Sequence, residues 1–235
     1  PMDIVLIGDN KVALIAHPTD TQGTVYIGTI SGLTLSFGAG NVLAQAYSGL
    51  FGMATIDTDK FVASYYFYTD GLVYSVVGTV TGDTVSWGTP QSYGTTNPYY
   101  ISMVKVDTNK LVTVYSSGNL LSARVGTVNG TSITWEAAIG VYSESHKQQK
   151  ISLVETNKVA ISYRRKVTSD EGYVVIGDIS GTTLTLGTSA VCEPSNADQL
   201  THAVLNGKVL TGWEAGYVNE GTISGNSVTF GTKFN

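Results

Sequence analysis

Aromatic and charged residues of this chain concentrate in segments that differ between otherwise repeated units. The segments "YFYTDG", "RRKVTSDEG" and "WEAG" each follow an apolar stretch and carry tyrosine, tryptophan, carboxylate or guanidinium side chains. A tyrosine ring packs on the apolar face of a sugar or of a protein side chain, while its hydroxyl group forms hydrogen bonds. These residue types therefore predict recognition of a glycan or a protein.

The predicted recognition surface draws on several such segments. Its members are imidazole, aromatic, acidic and guanidinium side chains: His17, Tyr66, Tyr68, Asp70, Tyr93, Tyr99, Tyr100, Tyr142, His146, Arg164, Arg165, Glu171 and Trp213. For the tyrosines an alternative stays open, since they could instead cap the ends of strands. The neighbouring cations form either a solvated cluster or a docking point for an anionic glycan or an acidic protein: Lys147, Lys150, Arg164, Arg165 and Lys166.

Residues that could perform catalysis are few. The chain has three histidines, and "SESHK" places Ser143, Ser145 and His146 next to one another. A catalytic triad is defined by its geometry, which neighbours on one loop rarely provide. Motifs of metalloproteases, α/β-hydrolases and nucleotide-binding loops do not occur in the sequence. We therefore predict that the chain is not an enzyme and has no catalytic residue and no cofactor, although a pair of carboxylates across a channel would leave glycan hydrolysis open.

Acidic residues also occur in the turns "DTDK" and "DTNK". Asp57 and Asp107 could suggest calcium, but these turns lack the density of oxygen ligands found in a calcium loop. We predict that both carboxylates cap turns and that the chain has no metal site.

The candidate residues are carried by a tandem repeat. The motif "VGTVTGDTVSWGT" (residues 77–89) recurs as "IGTISGLTLSFGA", "VGTVNGTSITWEA", "IGDISGTTLTLGT" and "EGTISGNSVTFGT". A lysine precedes each copy at a spacing of 48 to 50 residues: Lys11, Lys60, Lys110, Lys158 and Lys208. The chain is thus predicted to be an array of five units.

Each unit predicts four short strands and no helix. The third unit shows them as "YISMVKV", "KLVTVYS", "LLSARVGTV" and "SITWEAA", which are rich in Val, Ile, Thr and aromatic residues. The residue before each repeated lysine (Asn10, Asp59, Asn109, Asn157, Gly207) and the later "SG", "TG" or "NG" pairs favour tight hairpins. Each unit is therefore predicted to be an antiparallel meander.

The second strand of each unit is apolar on both faces, so each sheet needs a neighbour on either side. Units of about 47–50 residues packed in this way predict an all-β fold, a five-bladed β-propeller with four antiparallel strands per blade. We predict a single domain over residues 1–235, with blades at approximately 1–49, 50–98, 99–148, 149–198 and 199–235. Packing of the last blade against the first would close the ring.

Large apolar residues recur at equivalent positions in the units. One set is Phe37, Trp87, Trp135, Leu186 and Phe230. Exchange among large apolar types at one position favours packing between blades over ligand contact. By contrast, the loops that join strands two and three, and the links between blades, differ in every unit. This variable face is the predicted site of binding, because function concentrates on variable loops held by a rigid scaffold.

Composition restricts the partners of the chain. The net charge of −5, from 13 Lys and Arg against 18 Asp and Glu, is mild, so no global field attracts the chain to a nucleic-acid backbone or an anionic membrane. No apolar run approaches the length of a membrane span, so we predict no membrane insertion. The start "PMDIV" shows no signal peptide, and the single cysteine, Cys192, excludes an intramolecular disulfide.

The strings "VGTVTGDTVSWGT" and "DTNKLVTVY" resemble a tandem repeat of uncharacterised bacterial and bacteriophage proteins, in which units such as "VGTVSGTSISFG" and "KFVVAY" alternate. The resemblance covers all five units and implies a virion-associated, tail or surface protein; the blade count is also that of tachylectin-type lectins. We therefore expect a non-enzymatic structural or adhesive module, on a virion or at the cell surface, that recognises a surface glycan or protein and assembles into a larger particle. The alternatives are a soluble carbohydrate-binding lectin and a glycan-processing enzyme.

Overall fold

A computed structural model describes residues 2–16, 23–43, 48–94, 98, 100–166 and 170–234, with the backbone alone for residues 48–50. The regular structure of these residues is entirely β-strand, and the strands form five antiparallel sheets in chain order. This confirms the all-β, antiparallel fold that the repeat predicts. Within the described ranges, no helix has the length and apolarity that crossing a bilayer requires.

Sheets 1 and 5 have four strands each, and sheets 2, 3 and 4 have five. Sheet 1 contains β1 (Asp3–Ile7), β2 (Lys11–Ala16), β3 (Thr24–Ser31) and β4 (Thr34–Val42), and sheet 2 contains β5 (Ser48–Asp57), β6 (Lys60–Phe67), β7 (Leu72–Thr81), β8 (Thr84–Trp87) and β9 (Gln91–Gly94). Sheet 3 contains β10 (Ile101–Asp107), β11 (Lys110–Ser117), β12 (Leu120–Asn129), β13 (Ser132–Trp135) and β14 (Ile139–Tyr142), and sheet 4 contains β15 (His146–Glu155), β16 (Lys158–Arg165), β17 (Glu171–Ser180), β18 (Thr183–Leu186) and β19 (Ala190–Glu193). Sheet 5 contains β20 (Thr201–Leu205), β21 (Lys208–Gly212), β22 (Val218–Ser224) and β23 (Ser227–Phe230).

The outer edge of sheets 2, 3 and 4 departs from the predicted four-stranded meander. In sheet 2, β8 pairs with the last residues of β7, whereas β9 pairs with residues 73–75 near its start. Pro90 lies between β8 and β9, and a proline has no N–H group with which to continue a ladder. The outermost strand of each of these sheets is divided into two short segments, and in sheet 2 Pro90 lies at the division.

The tight turns follow the predicted chemistry in sheets 3, 4 and 5 but not in sheets 1 and 2, where Asn10 and Asp59 do not have positive φ. Asn109 and Asn157, which precede repeated lysines, adopt left-handed conformations (φ 56° and 60°). In the first turn of sheet 1, the residue with positive φ is instead Gly8 (φ 61°). In the neighbouring turn, the Asp107 carboxylate accepts a hydrogen bond from the Thr108 amide (2.7 Å), and this bond helps to lower the pKa of Asp107. Asp107 therefore caps its turn, as predicted.

The second strand of each sheet forms the centre of the core. In β6, residues 61–64 are fully buried on both faces. Four apolar clusters join sheet 1 to sheet 2, sheet 2 to sheet 3, sheet 3 to sheet 4, and sheet 4 to sheet 5. Among the described residues, none of these clusters joins sheet 5 to sheet 1, so the predicted closing contact has no apolar core.

A glycine of the repeated motif lies directly across the ladder from the recurring large side chain. Gly126 pairs with Trp135, and a Cβ atom on Gly126 would lie 2.7 Å from the indole ring. The same pairing occurs in every sheet: Gly28 with Phe37, Gly78 with Trp87, Gly177 with Leu186 and Gly221 with Phe230. Trp135 packs between sheets 2 and 3 as predicted, whereas Phe37 is exposed because no sheet covers its face.

Candidate functional site

The first strands of the five sheets surround one cavity of about 410 Å³, which we call the axial cavity. Every sheet contributes to its wall, which is lined by Met2, Asp3, Phe51, Tyr100, Ile101, Ser102, Gln148, Gln149, Lys150 and Leu200. These residues precede or begin the first strands, so the cavity opens on the variable face. Its volume falls within the range of ligand-binding pockets.

A β-bulge shapes the wall that sheet 4 contributes. The ladder between β15 and β16 shifts between Lys147 and Lys150, and Gln148 adopts a left-handed conformation (φ 55°). Bulges redirect side chains, and left-handed backbone at a residue other than glycine is a form of strain that recurs at functional sites. The bulge directs two consecutive amide side chains, Gln148 and Gln149, to the cavity wall.

Both amides present an unused hydrogen-bond acceptor. Gln149 is buried, and its Nε2 atom donates to the carbonyl oxygen of Tyr100 (2.9 Å). The Oε1 atoms of Gln148 and Gln149 are buried and accept no hydrogen bond from the described residues. Buried polar atoms without a partner are rare in native proteins, so two at one bulge indicate a position for donor groups of a ligand or of water.

Opposite charges also meet at this cavity. Asp3 accepts hydrogen bonds from the amides of Met53 (2.7 Å) and Ile4 (2.9 Å). Burial raises the pKa of the Asp3 carboxyl group, although these two bonds and the positive charge of Lys150 act in the opposite direction. Lys150 Nζ donates to Thr201 Oγ1 (3.3 Å) at the edge of sheet 5. The cavity thus offers a carboxylate, an ammonium group and two amides.

A second cavity, of about 350 Å³, adjoins the axial cavity at Thr201. Trp213, Glu214 and Tyr217 form part of its wall. The rings of Trp213 and Tyr217 lie 6.2 Å apart and are inclined by 30°. An aromatic wall next to polar groups suits a ligand that has both apolar faces and hydroxyl groups.

Four residues of the predicted surface are buried, which corrects the expectation that they lie exposed on it. They are Tyr93, His146, Arg164 and Trp213. The Tyr93 ring lies 4.5 Å from the Trp135 ring between sheets 2 and 3, and its hydroxyl group lies 3.3 Å from Thr113 Oγ1. Trp213 belongs to the apolar cluster between sheets 4 and 5 and has little surface in the second cavity.

His146 and Arg164 hold loops in place. Nδ1 of His146 contacts the carbonyl oxygens of Asn119 (3.2 Å) and Glu144 (3.1 Å), and burial lowers the pKa of its imidazole. Arg164 forms ion pairs with Asp170 in its own sheet and with Asp198 in the link to sheet 5. Both side chains therefore have structural partners in neighbouring segments.

A second group of predicted residues meets at the boundary of sheets 3 and 4. The Tyr142 ring stacks on Tyr163 with 5.2 Å between centroids, and the Arg165 guanidinium lies 5.8 Å from the centre of the Tyr142 ring. Arg165 also pairs with Glu171 (3.5 Å). Tyr142, Arg165 and Glu171 are partly exposed, contact one another or Tyr163, and do not line the axial cavity.

The remaining predicted residues form a separate patch or lie outside the described ranges. Tyr68 is exposed and packs edge-on against Tyr66, with 4.9 Å between ring centroids. Asp70 accepts a hydrogen bond from the Tyr74 hydroxyl group (2.6 Å). His17 and Tyr99 are outside the described residues. No group of three or more His, Cys, Asp and Glu side chains in the described part of the chain is placed to hold a metal ion.

The axial residues were not identified from sequence, apart from Tyr100 and Lys150. A signal is present in "HKQQK", where unit four has polar residues in its first strand. That run breaks the apolar alternation of the other units, and a break of this kind marks either a bulge or a polar cavity.

Comparisons with known proteins give structural likeness alone: no family model and no curated protein matches the chain. Among solved structures, a prolyl endopeptidase matches 99% of the chain and 34% of its own length at 13% identity, with a TM-score of 0.57. A Hadza microbial sialidase matches 97% of the chain and 57% of its own length at 8% identity, with a TM-score of 0.58. The α-L-arabinanase of Penicillium chrysogenum, solved with arabinobiose, matches 93% of the chain and 76% of its own length at 11% identity, with a TM-score of 0.56.

These likenesses correct one prediction. The expectation that the chain is not an enzyme is contradicted, because the solved structures that it resembles are a peptidase, a sialidase and an arabinanase. The chain spans about a third of the prolyl endopeptidase and somewhat over half of the sialidase. At these identities the likeness establishes the fold, which is a propeller-like arrangement of antiparallel sheets.

Proposed function

We propose that the five sheets act as the blades of a five-bladed propeller and that its axial cavity binds carbohydrate. The observation that carries this proposal is the pair of buried, unpaired Oε1 atoms of Gln148 and Gln149 at the cavity wall. Sugar hydroxyl groups donate hydrogen bonds in closely spaced pairs, and two adjacent amide oxygens match such pairs.

The other groups of the cavity suit the same ligand class. Asp3 accepts and Lys150 donates hydrogen bonds, so a sugar hydroxyl group can be bound from both sides. The Phe51 and Tyr100 side chains add apolar surface for the C–H face of a sugar ring. A site with few polar groups on a partly apolar wall is the common form of a small-molecule site.

The second cavity extends the proposal to oligosaccharides. It begins where Lys150 bonds to Thr201, and its partly exposed Tyr217 ring forms a wall for a further sugar unit. Affinity should therefore rise with chain length. Tyr217→Ala should weaken the binding of an oligosaccharide and leave that of a monosaccharide unchanged.

Likeness to a sialidase and to an arabinanase solved with arabinobiose gives independent support for a sugar ligand. The names of both proteins are those of enzymes that act on glycans. The likeness concerns the fold alone, so the class of sugar has to be determined by experiment.

The test is calorimetric titration of the purified chain with arabino-oligosaccharides, sialylated oligosaccharides and bacterial surface polysaccharides. Gln148→Gly keeps the left-handed backbone available and removes the amide, while Gln91→Ala removes an exposed amide of β9 as a matched control. We expect wild type and Gln91→Ala to bind one sugar class equally, and Gln148→Gly to bind it about tenfold more weakly or worse. Absence of binding to every sugar, or full affinity in Gln148→Gly, would overturn the proposal.

Cleavage of a glycosidic bond is the second candidate, favoured by the raised pKa of Asp3. In its protonated form this carboxyl group can donate a proton to the glycosidic oxygen as the C–O bond breaks, while water supplies the hydroxyl group and its remaining proton returns to Asp3. Release of new reducing ends from the bound sugar, lost in Asp3→Asn, would establish this activity.

The repeat resemblance favours a phage particle or a bacterial surface as the setting of this binding, where the sugar would be a surface glycan. Fixed stoichiometry of the chain in purified particles would support that setting. Recovery of the chain only as free protein would count against it.

A further inference from the structure

Consecutive sheets pack through two equivalent faces. The leading face of a sheet contacts the preceding sheet; in sheet 2 it includes Met53 and Ala63, which pack in one cluster with residues of sheet 1. The trailing face contacts the following sheet; in sheet 2 it includes Val62 and Val77, which pack in one cluster with residues of sheet 3. Every sheet thus has one face built to receive its predecessor and one built to receive its successor.

The leading face of sheet 1 is apolar and uncovered. Strand register places on it Ile4, Leu6, Val12, Leu14, Tyr26, Ile30, Leu35, Phe37 and Val42. Ile4 is 52% exposed, whereas the residues at its position in the other sheets are buried: Met53 at 2%, Met103 at 7%, Ile151 at 4% and His202 at 2%. Leu35 and Phe37, on the outermost strand, are 47% and 44% exposed. A contiguous apolar patch of this kind on a soluble protein marks an interaction surface.

Sheet 5 is a poor cover for that patch. The residue before the motif glycine lies on the trailing face of each sheet. It is a fully buried Ile or Val in sheets 1, 2 and 4 and a nearly fully buried Val in sheet 3. In sheet 5 the residue at this position is Glu220. Glu220 Oε1 accepts a hydrogen bond from Lys208 Nζ at 2.5 Å on that same face. Burying this ion pair against leucine and phenylalanine would remove its solvation without a compensating partner. The trailing face of sheet 5 therefore resembles a polar end cap, such as those that terminate repeat arrays.

We propose that the leading face of sheet 1 binds the same face of a second copy of this chain, forming a two-fold dimer. The strands that form the face carry no charged side chain on it within the described residues, so two copies can approach without like-charge repulsion. In a two-fold contact both copies use the same face, so no second complementary surface is needed. The trailing face of sheet 5 does not supply such a surface. Both apolar faces are then covered by sheet-on-sheet packing.

The oligomeric state of the full chain tests this proposal. Leu6→Lys and Leu35→Lys place a charge at half-exposed positions on different strands of the leading face. Leu205→Lys is the matched control, because Leu205 is 63% exposed on the trailing face of sheet 5. Circular dichroism and melting temperature confirm that each variant is folded.

In sedimentation equilibrium we expect wild type and Leu205→Lys to be dimers, and Leu6→Lys and Leu35→Lys to be monomers with unchanged circular dichroism. A wild-type chain that stays monomeric at every concentration would overturn the proposal. So would dissociation by Leu205→Lys, which would identify sheet 5 as the occupant. Masses that grow beyond the dimer with concentration would likewise indicate head-to-tail assembly and contradict the two-fold contact.

Discussion

Oγ of Ser162 lies 2.7 Å from Nδ1 of His202, and this contact joins the second strand of sheet 4 to the first strand of sheet 5. Both side chains are buried. Burial, with a smaller effect of the positive charge of Lys150, lowers the pKa of His202 from 6.5 to about 3. The imidazole is therefore neutral in the folded protein, with its Nδ1 atom in hydrogen-bond contact with Ser162 Oγ.

Stability should fall as the pH is lowered from neutrality. Between pH 6.5 and about 3 the unfolded chain binds a proton at His202 that the folded chain does not, so the free energy of unfolding decreases with falling pH, by at most about 1.4 kcal/mol per pH unit for this group. Denaturant titrations across this range measure the slope. His202→Gln should flatten it, leaving the smaller contribution of the same sign from His146. An unchanged slope in His202→Gln would contradict the assignment.

Gly126→Ala should destabilise the fold more than Gly28→Ala. The new methyl group would meet the Trp135 ring, which is held by a hydrogen bond from its Nε1 atom to Ser75 Oγ (2.7 Å) across the boundary of sheets 2 and 3. Overpacking of this kind costs about 1–3 kcal/mol. The methyl group of Gly28→Ala would lie 2.8 Å from both Phe37 and Val12, but Phe37 is exposed in a single copy of the chain and can turn away in the monomer. Thermal unfolding of both variants makes the comparison, and equal losses would show that the ring opposite is not the cause.

Arg164→Gln should lower stability rather than carbohydrate affinity. The buried guanidinium joins Asp170 to Asp198, and its removal leaves two carboxylates near each other, at a cost of roughly 1–3 kcal/mol. Arg165→Gln is the control, because that more exposed side chain pairs with Glu171 and Glu144 at longer distances, so its loss should lower stability less. Loss of sugar binding in a folded Arg164→Gln protein would return Arg164 to the binding surface.

Cys192 should be inert in the native state. Burial raises the pKa of its thiol to about 12, and it is the one cysteine of the chain. Because the thiolate is the reactive form, modification of the folded protein at neutral pH should be slower than that of the unfolded protein by roughly three orders of magnitude. Labelling with a chromogenic disulfide reagent, with and without denaturant, measures both rates. Similar rates would place the thiol at the surface.

The repeat could be predicted from sequence because its signals are local. The alternation in residues 61–65 predicts a strand buried on both sides, and glycine or asparagine at fixed offsets predicts the turns. The division of the outermost strand and the exposure of Phe37 were not predicted, since both depend on which residues neighbour the edge of a sheet.

The candidate site could not be predicted in the same way. Asp3, Tyr100 and Gln149 are far apart in the chain and meet only because five first strands converge. The role of Gln148 depends on a bulge that a single sequence does not specify. In contrast, Arg164 and His146 look like surface residues in sequence but lie on β16 and β15, where Asp198 and Asn119 of other segments contact them.

The four apolar clusters, each shared by two consecutive sheets in the described part of the chain, also determine how the protein should lose its structure. Sheets 2, 3 and 4 are held from both sides and sheets 1 and 5 from one, so the array behaves as a short linear chain of coupled units. Amide hydrogen exchange should then be slowest in β11 and its neighbours and fastest at the two ends, with the ends opening before the whole. Pairing of two copies through sheet 1 would slow amide exchange in sheet 1 but not in sheet 5. The difference in exchange rate between these two sheets would then report dimer formation directly.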